Sequence, residues 1–141
     1  MEQVVPPKKI AIAGSRIGNA GRGVFASGDI AKSELIERCP IIFLTKEDYP
    51  LVKKTTLLNY YFLNEEENRS AIALGFGSLY NHSYEPNATY EKHLEDGHID
   101  FIAIRDIGRD EEITVNYNYG DPNDRSRLWI ESIPPAPSAK L

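Results

Sequence analysis

The sequence predicts a mainly β fold with few, short helices. Short apolar runs recur along the chain, and turn residues separate them at close spacing, which is typical of a protein made of many short strands. The clearest hairpin signal is Asp96-Gly97, which lies between the alternating segment 88–92 and the return strand predicted at 99–105. Thr45 and the acidic residues that follow could cap a helix, but Pro50 keeps it short.

The N-terminal part of the chain predicts two strands joined by a flexible connection. Residues 8–13 form the first strand, which begins after Pro6 and Pro7 because proline fixes the backbone and has no N–H to donate. Residues 14–23 contain four glycines, too many for a regular element. Residues 21–26 lead from this loop into a second apolar strand.

The middle of the chain predicts a turn at 27–33 followed by two strands, 34–39 and 41–44. Residues 57–63 are rich in aromatic side chains, and their pattern does not distinguish helix from strand. We expect most of these aromatic residues in the core, with one of them lining a cleft. Residues 65–69 are highly charged and are expected to form a solvated turn.

The C-terminal part predicts a hairpin, a further turn at 106–111 and a short strand over 113–117. No composition shift marks a domain boundary before the proline-rich end. We therefore expect one domain over residues 1–133 and a flexible tail over residues 134–141.

Composition restricts the classes of function. The chain has 141 residues and a formal net charge of −5, which argues against a direct nucleic-acid binder and favours a basic polypeptide partner. Cys39 is the single cysteine, so the chain forms no internal disulfide and no cysteine-rich zinc site. We expect Cys39 to be a small buried apolar residue. A secretory signal and a membrane span are not expected, which makes an intracellular location the default, in the cytoplasm or the nucleus or nucleoid.

Two polar segments interrupt this β pattern. Residues 75–87 contain glycines, a proline and asparagines that favour unusual backbone angles, and residues 111–117 place a strand directly before Tyr117. Polar irregular segments between apolar runs are more typical of a functional site than of a core.

Other chemistry is less favoured by the residues. The three histidines could hold a metal only by converging with carboxylates such as Glu85, Glu91 or Asp100, and a solvated position for His93 and His98 beside the predicted turn argues against it. The adjacent pair His82 and Ser83 lacks the geometry of a nucleophile and its base. The glycines near residue 21 allow close approach of a ligand to the backbone, or simply a hairpin turn.

Three separated segments, residues 21–26, 81–87 and 111–117, together and in this order resemble the SET-domain protein lysine methyltransferases, especially the minimal viral and bacterial members. The resemblance covers roughly residues 9–129. It implies a SET-domain fold of short β-sheets around a C-terminal pseudoknot, in which the segment ending at Tyr117 passes beneath the loop near Asn81. It also implies S-adenosylmethionine as methyl donor and a lysine of a basic protein, such as a histone, entering from the opposite side.

The resemblance also implies roles for individual residues. Tyr117 would be the catalytic tyrosine. The backbone of Gly21, Arg22 and Gly23 would hold the donor, Asn81 its methionine moiety and the His82 backbone its adenine. The remaining implied residues are Trp129 over the cofactor, Tyr60 lining the lysine channel, and Val115 and Tyr119 bordering that channel. No metal is implied.

Two features depart from the family pattern. Asn116 precedes Tyr117, where many relatives have aspartate. No cysteine follows Tyr117, so the zinc segment that closes the site in many eukaryotic members is missing. Closure must then come from residues 119–133 or from a second subunit, which makes a homodimer a further expectation. The alternative to an enzyme is a SET-like module that binds peptide or cofactor without turnover.

Overall fold

The structure is a computed structural model that describes residues 3–64, 69–130 and 133–137. Most of the predicted charged turn at 65–69, and the end of the tail beyond residue 137, lie outside these described residues. The strands are β1 (Ile10–Gly14), β2 (Arg22–Ala26), β3 (Leu35–Leu44), β4 (Tyr61–Asn64), β5 (Arg69–Ala73), β6 (Asn81–His82), β7 (Ala88–His93), β8 (His98–Ala103) and β9 (Glu112–Val115). One short helix, α1 (Asp48–Val52), and two 3₁₀ turns, Thr56–Asn59 and Leu94–Asp96, complete the regular structure of the described part. The expected mainly β fold with few short helices is confirmed.

The strands form two sheets. The first has the order β1-β2-β9-β6 and the second the order β4-β5-β3-β8-β7. In the first sheet β9 pairs antiparallel with β2 and parallel with β6. Asn81 is therefore opposite Thr114, and His82 opposite Val115. This parallel pairing places the segment that leads to Tyr117 directly beside the polar segment 75–87.

Strand β3 corrects the expectation of two separate strands at 34–39 and 41–44. It continues through Pro40, and its partner changes at that residue: Leu35–Pro40 faces β8, whereas Ile41–Leu44 faces β5. Proline lacks the N–H that a continuous ladder would use, so it is tolerated where the pairing passes from one neighbour to the other. Its carbonyl still accepts a hydrogen bond from the N–H of Leu74 at 2.8 Å.

The predicted hairpin is present, with a 3₁₀ turn inside it. Strands β7 and β8 pair from Ala88↔Ala103 to His93↔His98, and Gly97 closes the turn with a φ of 83°. That left-handed conformation is accessible to glycine at little steric cost. The ambiguous segment 57–63 divides into the 3₁₀ turn Thr56–Asn59 and the start of β4.

The core lies between the two sheets and contains mostly aliphatic and aromatic side chains. Phe101 is fully buried and stacks on Tyr80, with ring centroids 4.2 Å apart. Cys39 is fully buried, as expected, and burial raises the pKa of its thiol. Among the described residues, no helix has the length and apolar character needed to cross a membrane.

Candidate functional site

Two cavities share one wall. The larger, which we call the loop cavity, has a volume of about 460 Å³ and is lined by the glycine-rich loop, residues 81–85 and the C-terminal segment. The smaller, which we call the tyrosine cavity, has a volume of about 160 Å³. Its tyrosines are Tyr60, Tyr61, Tyr80, Tyr90, Tyr117 and Tyr119.

The shared wall consists of Asn59, Tyr60, Ser78 and Tyr117, each of which lines both cavities. Ser78 fixes the position of Tyr60, because its hydroxyl donates to the carbonyls of Ala73 at 2.9 Å and Tyr60 at 3.3 Å. Molecules bound in the two cavities would therefore both lie next to Tyr117.

Tyr117 is held by two hydrogen bonds to the polar segment. Its hydroxyl donates to the carbonyl of Tyr80 at 2.6 Å, and its backbone N–H donates to Nδ1 of His82 at 3.0 Å. Burial, together with the nearby Tyr60 and Glu112, raises the pKa of the Tyr117 hydroxyl. Tyr117 is thus a neutral phenol at physiological pH, able to orient a neighbouring group and unsuited to act as a phenolate base.

His82 lines the loop cavity in a neutral form. Burial lowers the pKa of its imidazole to about 4. Because Nδ1 accepts the Tyr117 N–H, the ring proton is assigned to Nε2. Nε2 is buried and has no hydrogen-bond partner among the described residues. Buried donors are normally satisfied, so this atom is available to a ligand that offers an acceptor.

Asn81 also lines the loop cavity, and its amide group is fixed from two sides. Nδ2 donates to the carbonyl of Arg22 at 2.7 Å and to Oε2 of Glu112 at 2.9 Å. Both of these acceptors belong to the protein, which leaves Oδ1 as the atom that can accept from a ligand.

Gly23 has no room for a side chain of its own. A Cβ at this residue would lie 2.5 Å from Oε2 of Glu112 and 2.9 Å from Nδ2 of Asn81. The space beside Gly23 is therefore occupied by two side chains of the same chain. Of the three residues expected to hold the donor, Arg22 lines the loop cavity, whereas Gly21 contributes a left-handed backbone angle, with a φ of 73°.

Glu112 is a site residue that the sequence reasoning missed. Besides Asn81, its carboxylate accepts from the hydroxyl of Ser15 at 2.7 and 3.0 Å and from the N–H of Arg16 at 3.3 Å. It thereby joins the glycine-rich loop to Asn81. The one signal in the sequence is its position at the start of the apolar strand before Tyr117, where Glu111 is an equally plausible candidate.

Glu37 is a second missed residue. Its carboxylate, 4% exposed, accepts from the hydroxyl of Tyr80 at 2.9 Å and the N–H of Phe76 at 3.0 Å. The carbonyl of Tyr80 is the acceptor for Tyr117, so Glu37 fixes the segment that positions the Tyr117 hydroxyl.

The contacts of Asn116 explain why an asparagine, and not an aspartate, precedes Tyr117 in this chain. It is fully buried, and its Nδ2 donates to the carbonyl of Asp124 at 2.6 Å while its Oδ1 accepts the N–H of Asn118 at 2.9 Å. An aspartate could accept the N–H of Asn118, but it could not donate to the carbonyl of Asp124 because it has no side-chain N–H. The amide is therefore matched to the conformation of residues 116–124.

The other residues expected at the channel or the cofactor lie in different surroundings. Tyr60 and Tyr119, predicted to line the lysine channel, both line the tyrosine cavity. Val115 does not fit a channel border, because it is 2% exposed and packs in the hydrophobic core. Trp129, expected over the cofactor, lines the tyrosine cavity. Its neighbours Leu128 and Ile130 point inward, so Trp129 points outward and is 56% exposed.

The described part of the C-terminal segment lines the site. Pro134, Pro135 and Pro137 line the loop cavity. Arg125 connects this segment to residues near His82, because its guanidinium donates to the carbonyl of Pro137 at 2.8 Å and to Glu85 at 3.2 Å. Ile130 and Ile133 line the loop cavity beside these prolines.

Comparison with known proteins assigns most of the chain to one domain type. The family model of the SET domain matches residues 21–118. A curated relative, the histone-lysine N-methyltransferase of Schizosaccharomyces pombe specific for lysine 37 of histone H3, is 35% identical over 111 residues. That match covers 79% of this chain and 71% of the relative.

Solved structures agree on the fold. A crystal structure of a Plasmodium falciparum protein provisionally named a histone methyltransferase superposes with a TM-score of 0.65 at 36% identity, over 79% of this chain and 95% of that one. The ctPRC2 complex bound to S-adenosylmethionine superposes with a TM-score of 0.68 at 21% identity, over 83% of this chain and 16% of that one. At this lower identity, the second comparison supports the fold alone.

Proposed function

The chain belongs to the SET-domain family of protein-lysine methyltransferases, and we propose that it transfers methyl groups from S-adenosylmethionine to a lysine side chain of a basic protein such as a histone. The observation that supports this most directly is the wall shared by the two cavities. A large and a small cavity that meet at a buried tyrosine suit a reaction between a bulky donor and a narrow acceptor.

We assign S-adenosylmethionine to the loop cavity, because the donor atoms there fit a polar ligand. Nε2 of His82 is a buried N–H in need of an acceptor, and Asn81 retains its Oδ1 as an acceptor. When bound, this cofactor supplies a methyl group on a positively charged sulfur. The loop containing Arg22 and the prolines of residues 134–137 would enclose it from two sides.

We assign the acceptor lysine to the tyrosine cavity. Its aromatic walls favour the neutral amine over the ammonium ion, because burial disfavours the charged form. Lys92 also lines this cavity, and its Nζ donates to the carbonyl of Leu63 at 2.6 Å and lies 5.1 Å from the centre of the Tyr119 ring. A second positive charge nearby would further favour loss of the proton from the incoming lysine.

Tyr117 would align the acceptor amine for in-line attack. Its phenol donates to the Tyr80 carbonyl, so its oxygen lone pairs remain able to accept from the amine. Alignment of two reactants can supply a large part of the rate enhancement, which makes a rigidly held hydroxyl valuable. Glu37 would contribute indirectly by holding Tyr80.

The net charge of the chain and the name of its curated relative both favour a basic protein as the substrate. The net charge of −5 suits a lysine-rich protein segment, and the S. pombe relative is named for lysine 37 of histone H3. A histone substrate would place the chain with chromatin inside the cell. A second copy of the chain could complete the closure of the loop cavity that Ile130 and residues 133–137 begin, which is our proposal for a homodimer.

The test is methyl transfer together with cofactor binding. Calorimetric titration with S-adenosylmethionine should show binding, and radiolabelled methyl groups should appear on lysines of purified histones. Absence of cofactor binding would reject the proposal. Binding without labelling of histones, or of any other lysine-rich protein pool, would favour a SET-like module without turnover.

A further inference from the structure

The hairpin formed by β7 and β8 carries four possible metal ligands on one face, outside both cavities. Glu91 and His93 lie on β7, and His98 and Asp100 on β8. Glu91 is paired with Asp100 and His93 with His98, and residues two apart on a strand point to the same side. Two imidazoles and two carboxylates are thus brought together by the sheet register.

The distances within this group are close to those of a metal site. Nε2 of His98 lies 3.7 Å from Oδ1 of Asp100, and Nε2 of His93 lies 3.9 Å from Oδ2 of the same residue. The ligand atoms of these three residues all lie within 4.8 Å of one another. In a tetrahedral zinc site with bonds of about 2.1 Å, ligand atoms are about 3.4 Å apart. Both imidazole–carboxylate distances are longer than a hydrogen bond. Small side-chain rotations would bring them to the spacing of ligand atoms around zinc.

Two of the ligands are already held in place. His98 and Asp100 are 9% and 5% exposed. Arg38 fixes the carboxylate of Asp100 through hydrogen bonds of 2.8 Å from Nε and 2.9 Å from Nη2. An arginine that fixes a carboxylate on one side leaves its other lone pairs for a further contact.

The charge of the group also suits a cation. Arg38 offsets one of the two carboxylates, and the second, that of Glu91, lies 3.4 Å from Nε2 of His93. With neutral imidazoles, the group therefore has one negative charge that no residue within it offsets.

We propose that His93, His98 and Asp100, with Glu91 as a fourth ligand, bind one divalent ion of the zinc class. Imidazole nitrogen combined with carboxylate oxygen suits Zn²⁺ and its neighbours in the first transition row better than Ca²⁺ or Mg²⁺. The ion would connect β7 to β8. Lys92 lies between Glu91 and His93 on β7 and lines the tyrosine cavity, so the ion would stiffen the strand that borders that cavity.

The test uses untagged full-length protein, freed of metal and titrated with ZnCl₂ by calorimetry, with Co²⁺ absorption as a second readout. We expect one ion per chain and a higher melting temperature in zinc. His93→Gln and His98→Gln should each lower the affinity at least tenfold. Glu91→Gln should lower it less, and this side chain is exposed, so the variant will fold.

Glu95→Gln is the matched control, because it removes a carboxylate from the same hairpin but not from the cluster, and its zinc affinity should equal that of the unaltered protein. Failure to bind Zn²⁺, or binding that survives both histidine replacements, would overturn the proposal. Equal loss of affinity in Glu95→Gln and Glu91→Gln would also overturn it, because it would indicate binding by general surface charge.

Discussion

The backbone N–H of Tyr117 donates to Nδ1 of His82 at 3.0 Å, although the two residues are 35 positions apart. The bond selects one tautomer of the imidazole and fixes the backbone at the point where β9 ends. The bond also joins His82, which lines only the loop cavity, to Tyr117, which lines both cavities. The position of Tyr117 therefore depends on the polar segment as much as on its own strand.

Replacing Tyr117 by phenylalanine should separate binding from transfer. The ring stays, so the walls of both cavities keep their shape, but the hydroxyl that would align the amine is lost. We expect the rate of methyl transfer to fall by about 100-fold or more. Affinity for S-adenosylmethionine, measured by calorimetry, should stay within about threefold of the unaltered protein. A variant that keeps its full transfer rate would show that the hydroxyl is not part of the catalytic machinery.

Replacing His82 by asparagine should change how stability depends on pH. Burial lowers the pKa of His82 from 6.5 to about 4, so between these values the unfolded chain binds a proton that the folded chain does not. Stability must then fall as the pH falls through this window, by up to about 3 kcal/mol. Asparagine offers an acceptor near the position of Nδ1 but does not titrate.

Urea unfolding at a series of pH values measures this difference. Every ionisable group other than His82 is common to the two proteins and cancels in the comparison. The unaltered protein should lose more stability than His82→Asn between pH 6.5 and pH 4. Parallel curves for the two proteins would mean that His82 is not buried in its neutral form.

Replacing Glu112 by glutamine should weaken cofactor binding through Asn81 and the glycine-rich loop. Glutamine has a single acceptor oxygen and adds an N–H that faces the donors of Ser15 and Asn81. We expect affinity for S-adenosylmethionine to fall about tenfold, the equivalent of about 1.4 kcal/mol. Glu111→Gln is the matched control, because its carboxylate faces Arg105 at 3.6 Å on the surface. If the two variants bind the cofactor equally well, Glu112 does not position the site.

Replacing Asn116 by aspartate should destabilise the protein even though many relatives have aspartate there. The carboxylate would face the carbonyl of Asp124 at the present 2.6 Å contact, with no proton to share. Loss of a buried hydrogen bond with an acceptor left unsatisfied costs about 1–3 kcal/mol. The free energy of unfolding in urea measures this, with the exposed Asn123→Asp as control. Equal stability of the two variants would contradict the role assigned to the amide.

The β character of the chain could be predicted from local pattern, but the pairing of its strands could not. Residues 88–92 and 99–105 alternate clearly and carry their own turn signal, so the hairpin was correct. The local pattern predicts separate strands on either side of Pro40, and a proline inside a strand usually does mark an end. What makes it acceptable is the exchange of partner from β8 to β5, a long-range property that no local pattern contains.

The same limit applies to the site. Asn81, His82 and Tyr117 lie in recognisable segments, and the structure brings them together. Glu112 and Glu37 resemble surface carboxylates in the sequence, and only contacts spanning 31 to 97 residues reveal their use. Trp129 lines the tyrosine cavity, a position that the sequence alone does not reveal, because the direction of one side chain in an extended segment depends on which of its neighbours are buried.

The central place of β9 in the first sheet also has a consequence for how the chain folds as it is made. Strand β9 separates β2 from β6, so until residue 115 has left the ribosome β6 has no partner and β2 pairs only with β1. Pairings this distant along the chain slow the folding of small domains. Until then β2 would expose one unpaired edge, which can pair with the strand of another chain.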